Sequence, residues 1–138
     1  MRIRMARVSL FFTLFFIGLL VQAQQSDRTS TIDFVEILNG DIAETEYYYQ
    51  NNWKILREMA VQRGHIASYE IIETVATPEA PFHLMLITTY ANKTQYQQRE
   101  KHFQALIKEK GSLALLNDKK PSEFRKTLFN KEKATHWK

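Results

Sequence analysis

Two glutamates stand where the sequence otherwise predicts buried strands. Glu36 interrupts the apolar run from Ile32 to Leu38, and Glu70 lies among the apolar residues of a second run. A carboxylate in such a place must be paired, hydrated or raised in pKa. If both point into one cavity, they can act as an acid/base pair or hold a cationic or hydroxylated ligand. The alternative is that they reach solvent at strand ends or form salt bridges across a dimer.

Other residues of suitable type offer weaker candidates for chemistry. Glu73 and His83 are predicted to face each other across a hairpin, where such a pair usually has a structural role. The four histidines show no i, i+4 pair and cysteine is absent, so we predict no metal site. Neither the Gly-x-Ser-x-Gly motif of serine hydrolases nor a glycine-rich dinucleotide motif occurs, and we expect no cofactor.

The first 23 residues are typical of a secretory signal. Three arginines precede the apolar run from Val8 to Leu20, and positions 21 to 23 predict cleavage after Ala23. The run spans 13 residues, fewer than the roughly 20 apolar residues that span a bilayer. We therefore expect an exported protein, periplasmic or extracellular, with no stable membrane anchor after the signal is cleaved.

Charge is unevenly distributed along the chain. Loss of the signal removes three arginines and lowers the formal net charge from +4 to +1. Residues 24–92 then carry 4 basic and 10 acidic side chains, whereas residues 93–138 carry 12 basic and 5 acidic ones. The basic half is predicted to be either a solvated surface or a contact for an acidic partner. No aromatic-basic motif for nucleic acid accompanies it, so we expect no nucleic-acid partner. The candidate contacts for an acidic partner are Lys119, Lys120, Arg125 and Lys126.

The mature chain is predicted to form one domain over residues 32–130, between a flexible leader at 24–31 and a basic tail at 131–138. An aromatic stripe at helical spacing predicts a core-facing helix with Trp53 as its main anchor. Asp41 and Glu44 resemble a capping box at the start of this helix. Hydrophobic periodicity places strands at 32–38, 66–75, 82–91 and 123–129, and helices at 41–64 and 92–110. For the last strand, the alternative is a short helix capped by Ser122.

The order β-α-β-β-α-β predicts an α+β fold, a ferredoxin-like plait with an antiparallel sheet and both helices on one face. The other face is left bare, and so large an apolar patch exceeds what monomers usually expose. A second copy of the chain covers such a face through twofold symmetry, so we predict a homodimer through the sheet face. The bare face is expected to carry one of two sets: Ile66, Ile72, Phe82, Leu84 and Leu86, or Ala67, Tyr69, Ile71, Met85 and Ile87.

Two segments also carry a family resemblance. Residues 64–72 (GHIASYEII) resemble the second strand of the antibiotic-biosynthesis monooxygenase group within the dimeric α/β-barrel superfamily. Residues 86–93 (LITTYANK) are similar to its third strand and the following turn, and the similar pattern extends from Phe34 to Phe129. The resemblance implies two plaits packed sheet to sheet as a barrel, with a pocket between the helices and the sheet of each chain.

Active members of that group oxidise polycyclic aromatic substrates without a cofactor, or degrade haem. The resemblance implies Tyr90, Arg99 and His102 as catalytic candidates. Tyr90 stands where active members often place a tryptophan, and Arg99 is the nearest match to a histidine on the second helix. The asparagine of the haem-degrading members has no clear counterpart at Leu38 or Asn39. The candidate ligand-binding residues are Glu36, Trp53, Tyr69, Glu70 and Phe103.

These observations predict an exported homodimeric domain that binds a small hydrophobic or aromatic ligand or has a structural role. The alternative is a cofactor-free monooxygenase or haem-handling enzyme that uses the helix–sheet pocket. The sequence leaves open whether the chain catalyses any reaction.

Overall fold

A computed structural model describes residues 27–137 of the 138-residue chain, and the predicted signal lies outside them. Helices and strands combine around a four-stranded antiparallel sheet, which confirms the predicted α+β class. The elements in chain order are β1 (Thr29–Ile37), α1 (Ile42–Tyr48), a π-helical turn (Tyr49–Trp53), α2 (Lys54–Gln62), β2 (Ser68–Glu73), β3 (Leu84–Tyr90), α3 (Lys93–Gln97), α4 (Arg99–Lys110), α5 (Pro121–Phe124) and β4 (Arg125–Thr135).

The strand order in the sheet is β2-β3-β1-β4, with every neighbouring pair antiparallel. Strands β1 and β3 are therefore central, and Ile32 lies opposite Ile87 between them. Strand β1 begins at Thr29, so part of the predicted leader belongs to the sheet.

The first helical region follows the predicted span but starts differently. The Asp41 side chain does not cap α1, because its carboxylate pairs with the Lys119 ammonium at 2.6 Å. The Thr45 hydroxyl donates instead to the Asp41 carbonyl and to the Phe124 carbonyl. The start of α1 is thus held by the C-terminal part of the chain, and the predicted capping box is wrong.

The register of the β2–β3 hairpin corrects the predicted bare face. Ile72 lies opposite Met85, and Ile71 lies opposite Leu86. Even-numbered residues of β2 therefore share a face with odd-numbered residues of β3. Side chains alternate between faces along a strand, and each predicted set therefore mixed residues of both faces. The register also places Glu73 opposite Leu84 rather than opposite His83.

The region around residues 122–129, for which the sequence predicted either a strand or a short helix, contains both a helix and a strand. Helix α5 has four residues with Lys120, not Ser122, at its N-cap, and it leads directly into β4. Strand β4 continues to Thr135 and thus includes residues 131–135, which the sequence placed in a tail. The second predicted helix is divided at Gln98 into α3 and α4.

The core lies between the helices and one face of the sheet. Val35, Leu84 and Leu86 pack there against Tyr49 and Trp53. A second cluster consists of Ala60, Ile66, Tyr90 and Leu106.

The opposite sheet face, called here the outer face, carries a partly buried apolar cluster together with Glu36, Glu70 and Lys126. Phe34 packs against Phe82 and Phe129, with ring centroids 4.8 and 4.4 Å away. Ile72 is 41% exposed and Phe129 46% exposed. Among the described residues, the helices pack into core clusters on the other side of the sheet. The outer face carries Ile32, Phe34, Ile72, Met85, Ile87 and Phe129 along the strands.

Candidate functional site

A cavity of about 270 Å³ lies between the first helical region, α4 and the sheet. This volume is just below the roughly 300 Å³ at which pockets for drug-sized ligands begin, so the cavity suits a smaller molecule. Its wall combines aromatic, aliphatic and charged side chains: Asp33, Tyr48, Tyr49, Asn52, Trp53, Leu56, Arg57, Leu86, Ile107, Lys110, Gly111, Leu113, Arg125 and Thr127.

The π-helical turn sets the direction of the helix side chains that reach the cavity. A π turn bonds residue i to i+5, one residue wider than an α turn, so it rotates the residues that follow by about 100°. Trp53, the last residue of this turn, and Ala60 are buried, whereas Ile55 is exposed although a straight helix would place it in the apolar stripe. Arg57, which that stripe excluded, lines the cavity instead.

Asn52 connects this turn to the segment that follows α4. Its side-chain amide donates to the Ala114 carbonyl at 2.8 Å, and its oxygen accepts from the Ala114 amide at 2.8 Å. The Lys110 ammonium donates to the same oxygen at 2.8 Å. Asn52 therefore holds one border of the cavity, near Leu113, in place.

Arg57 lies between two aromatic rings. Its guanidinium carbon is 4.3 Å from the centroid of the Trp53 ring and 4.4 Å from that of Phe103. Its Nε donates to the Thr88 hydroxyl at 3.2 Å. Burial lowers the pKa of the Arg57 guanidinium to about 10. At neutral pH, Arg57 thus remains a cation whose plane is fixed by stacking.

Arg125 supplies a second guanidinium from the start of β4. One terminal nitrogen donates to the Tyr48 hydroxyl at 3.1 Å, and its guanidinium carbon lies 4.9 Å from the Tyr48 ring centroid. Its Nε–H is buried without a hydrogen-bond partner among the described residues, and so is the indole Nε1–H of Trp53. Both groups belong to cavity-lining residues, and buried donors are normally satisfied.

Asp33 contributes the only carboxylate to the cavity lining, from the central strand β1. Burial raises the pKa of this carboxyl group; nearby Arg57 and Arg125 oppose the shift, and Glu132 adds to it. Burial also raises the pKa of the Tyr49 phenol, which therefore stays protonated at neutral pH. The site thus combines one carboxyl group, whose pKa is raised by burial, with phenol and guanidinium donors.

Three predicted ligand-binding residues belong to this region. Trp53 lines the cavity. Tyr69 packs edge-on against Trp53 with ring centroids 5.9 Å apart, and Phe103 stacks on Arg57. Tyr69 and Phe103 therefore do not line the cavity themselves but pack against two residues that do, Trp53 and Arg57.

The predicted glutamates lie on the outer face, away from this cavity. Glu70 on β2 lies opposite Ile87 on β3, and Ile87 lies opposite Ile32 on β1. Glu36 is on β1, four residues after Ile32, and is therefore two strands away from Glu70. Strand dimensions separate the two glutamates by about 13 Å along the strands and about 10 Å across them. One chain therefore does not bring them together as an acid/base pair. His83 accepts a hydrogen bond from the Ile37 amide at Nδ1 instead of facing Glu73.

The three catalytic candidates do not line the cavity. Two of them meet at Tyr96, whose ring centroid is 5.5 Å from that of Tyr90 and 4.1 Å from the guanidinium carbon of Arg99. Tyr90 is buried in the second core cluster. Arg99 pairs with Glu132 at 3.1 Å. His102 stacks on His65 with ring centroids 3.7 Å apart and an interplanar angle of 14°.

The basic residues predicted for an acidic partner are also divided. Lys119 pairs with Asp41 and Glu44, and Arg125 lines the cavity. Lys120 and Lys126 do not line the cavity, and neither forms an ion pair within the described part of the chain.

Asp33 and Arg57 are the functional residues that the sequence reasoning missed. Asp33 is two residues before Val35 on β1, so its side chain lies on the same face of the sheet as this fully buried core residue. This alternation of side chains along the strand was the signal that could have placed the Asp33 carboxylate on the helix side of the sheet. For Arg57, its i, i+4 spacing from Trp53 was the available signal.

Within residues 27–137, no group of three or more histidine, cysteine, aspartate or glutamate side chains is arranged to hold a metal ion. Over the same residues, each helix is too short or too polar to cross a bilayer. Comparisons with protein-family models, curated proteins and solved structures find no match for this chain.

Proposed function

We propose that this chain is an exported ligand-binding protein that holds a small molecule in its helix–sheet cavity. The observation that carries the proposal is a cavity walled by Trp53, Tyr48 and Tyr49, with a buried indole donor that lacks a partner in the described part of the chain. A concave, mainly apolar site with a few convergent polar groups is the usual form of a ligand site. The predicted signal supports export.

We also propose that the domain is a ferredoxin-like plait that pairs as a dimeric α/β barrel. The strand order β2-β3-β1-β4 and the helices on one sheet face are what a plait requires. The apolar outer face supports pairing, because a second copy would remove Phe34, Ile72 and Phe129 from water. The resemblance to the antibiotic-biosynthesis monooxygenase group points in the same direction.

The cavity proposal is tested by NMR on the two indole N–H groups. Trp53 lies at the cavity, whereas Trp137 is 94% exposed and serves as an internal control. Single-ring aromatic probes, phenylacetate and phenylacetamide, should shift the Trp53 indole resonance and leave that of Trp137 in place. If neither probe moves Trp53 at concentrations of about 20 mM, well above the millimolar dissociation constants expected of small ligands, the cavity is not a ligand site.

The alternative, a cofactor-free monooxygenase or haem-handling enzyme, has less support. It requires Tyr90, Arg99 and His102 around the pocket, and none of them is among the cavity-lining residues. Titration with haem tests this alternative. A shifted Soret band would favour it, and an unchanged haem spectrum would remove its haem-handling branch.

A further inference from the structure

The cavity lining carries more positive than negative charge. Arg57, Lys110 and Arg125 contribute three cations, and Asp33 contributes the single carboxylate. None of these cations forms an ion pair with a carboxylate in the described part of the chain. Among the described lining residues, Asp33 offsets only part of this positive charge, so an anion that enters the cavity would be stabilised.

The present hydrogen-bond acceptors of these cations are all neutral. Arg57 donates to the Thr88 hydroxyl, and Arg125 donates to the Tyr48 hydroxyl. Lys110 donates to the Asn52 side chain and to the Ser112 carbonyl. Because a carboxylate is a stronger acceptor for a guanidinium than a neutral oxygen, a bound carboxylate would add to these contacts.

The remaining surface of the cavity suits a flat apolar body. Trp53 and Tyr49 provide aromatic surface, and Leu56 and Leu86 provide aliphatic surface. The indole Nε1–H of Trp53 and the Nε–H of Arg125 lack acceptors among residues 27–137, and a carboxylate offers two oxygens. The volume of about 270 Å³ limits the ligand to about the size of one substituted ring.

We propose that the cavity selects a small aromatic monocarboxylate, with its ring beside Trp53 and its carboxylate beside Arg125 and Arg57. This inference rests on the proposed function and adds the chemical class of the ligand. Asp33 is then the group that opposes the ligand charge, and its neutralisation should favour binding. Four groups bear on Asp33 from the packed elements: Tyr49, Arg57, Arg125 and Glu132.

The first test compares two probes of nearly equal size and shape in the unaltered protein. Phenylacetate is an anion at neutral pH, and phenylacetamide is its neutral counterpart. We expect the acid to shift the Trp53 indole resonance with a dissociation constant about tenfold lower than that of the amide. Equal affinities, or tighter binding of the amide, would overturn the anion assignment and leave the cavity as a site for neutral ligands. A silent Trp53 for both probes would instead reject the proposed function.

The second test uses neighbouring residues on β4. Arg125→Gln and Lys126→Gln make the same change in charge, but Arg125 lines the cavity while Lys126 lies opposite Glu36 on the outer face. We expect Arg125→Gln to weaken phenylacetate binding about tenfold and phenylacetamide binding by a much smaller factor. Equal weakening by Lys126→Gln would show attraction to the overall charge and would contradict the site. The comparison of acid with amide in the unaltered protein still decides the proposal if Arg125→Gln fails to fold.

Asp33→Asn provides an independent variant with the opposite expectation. Loss of the carboxylate should strengthen phenylacetate binding more than phenylacetamide binding, because only the acid is repelled by Asp33. Weaker binding of phenylacetate to Asp33→Asn would contradict the proposed placement of the ligand carboxylate.

Discussion

At the scale of single residues, Asp33 is a carboxylate in an environment that disfavours its charge. It lies on a central strand at the cavity, where its neighbours include aromatic and aliphatic side chains. Burial therefore raises its pKa in spite of two neighbouring arginines. Relative to the unfolded chain, the folded protein disfavours the ionised form of Asp33, and this lowers stability at neutral pH.

The Asp33→Asn variant should be more stable than the natural chain at neutral pH, by on the order of 1 kcal/mol. Because the folded pKa of Asp33 is raised above its unfolded value, its carboxyl group contributes stability below the unfolded pKa and loses that contribution as pH rises through the folded pKa. The advantage of the Asp33→Asn variant should accordingly vanish in acid. Urea unfolding of both proteins at neutral pH and at a pH below the unfolded pKa measures it. A variant that is less stable at neutral pH would show Asp33 to be a counter-ion of the arginines.

The stacked histidines make a second prediction at this scale. Burial lowers the pKa of His65, and His102 and Arg63 lower it further. Replacement of His102 by alanine removes a stacked ring and a like charge, so the pKa of His65 should rise toward 6.5. NMR titration of the His65 ring protons measures this shift. An unchanged pKa would assign the effect to the surrounding backbone and Arg63 alone.

Residue types alone predicted one member of the site and missed two. Trp53 was found because a large aromatic residue in a helical stripe has a strong reason to be buried. Asp33 was missed because an acidic residue near a strand start is ordinarily solvated, although it shares its strand face with Val35. Arg57 was missed because the apolar stripe of a straight helix excludes it. Glu36 drew attention instead, yet it lies on the outer face opposite Lys126.

At the scale of elements, the π-helical turn and the segment after α4 depend on one another through Asn52. The neighbouring Asn51 is a matched control, because its amide donates to the Tyr47 carbonyl of its own helix. Asn52 makes the equivalent bond to Tyr48 and in addition holds both backbone groups of Ala114.

Replacement of Asn52 by alanine should lower the free energy of unfolding by about 2 kcal/mol, because the part-buried N–H and carbonyl of Ala114 lose their partner. It should also speed amide hydrogen exchange at Ala114, whose N–H donates to Asn52. The Asn51→Ala variant should change both quantities much less. If the two variants have equal effects, the segment after α4 is held by other contacts.

The sequence predicted the types of most elements but not the details that orient side chains. Hydrophobic periodicity located the first helical region, yet it gave no sign of the π turn that rotates Arg57 toward the cavity. The length of the loop between β2 and β3 could not be fixed from the sequence, so the sequence did not determine which residues of the two strands lie opposite each other. A shift of one residue exchanges the two faces of a strand, so a small uncertainty in the loop changed the composition of the bare face.

At the scale of the whole molecule, we propose different roles for the two faces of the sheet. The helix side holds the cavity, and the outer face pairs with a second copy of the chain. Ile72 and Val75 permit a matched test, since both are exposed aliphatic residues but only Ile72 lies on a strand of the outer face.

The Ile72→Glu variant should raise the dimer dissociation constant at least tenfold, because pairing would bury an unpaired carboxylate. The Val75→Glu variant should leave it nearly unchanged, since Val75 is 85% exposed beyond the end of β2. Analytical ultracentrifugation measures both constants. A natural chain that stays monomeric at micromolar concentration would contradict the dimer.

The helix-side location of the ligand is the central claim, and a crystal structure of the protein with phenylacetate bound tests it most directly. We predict that the phenyl ring lies beside Trp53 and that the carboxylate lies within hydrogen-bond distance of Arg125 or Arg57. Phenylacetate bound on the outer face, beside Glu36 or Glu70, would contradict this claim and would place the site at the two strand glutamates instead.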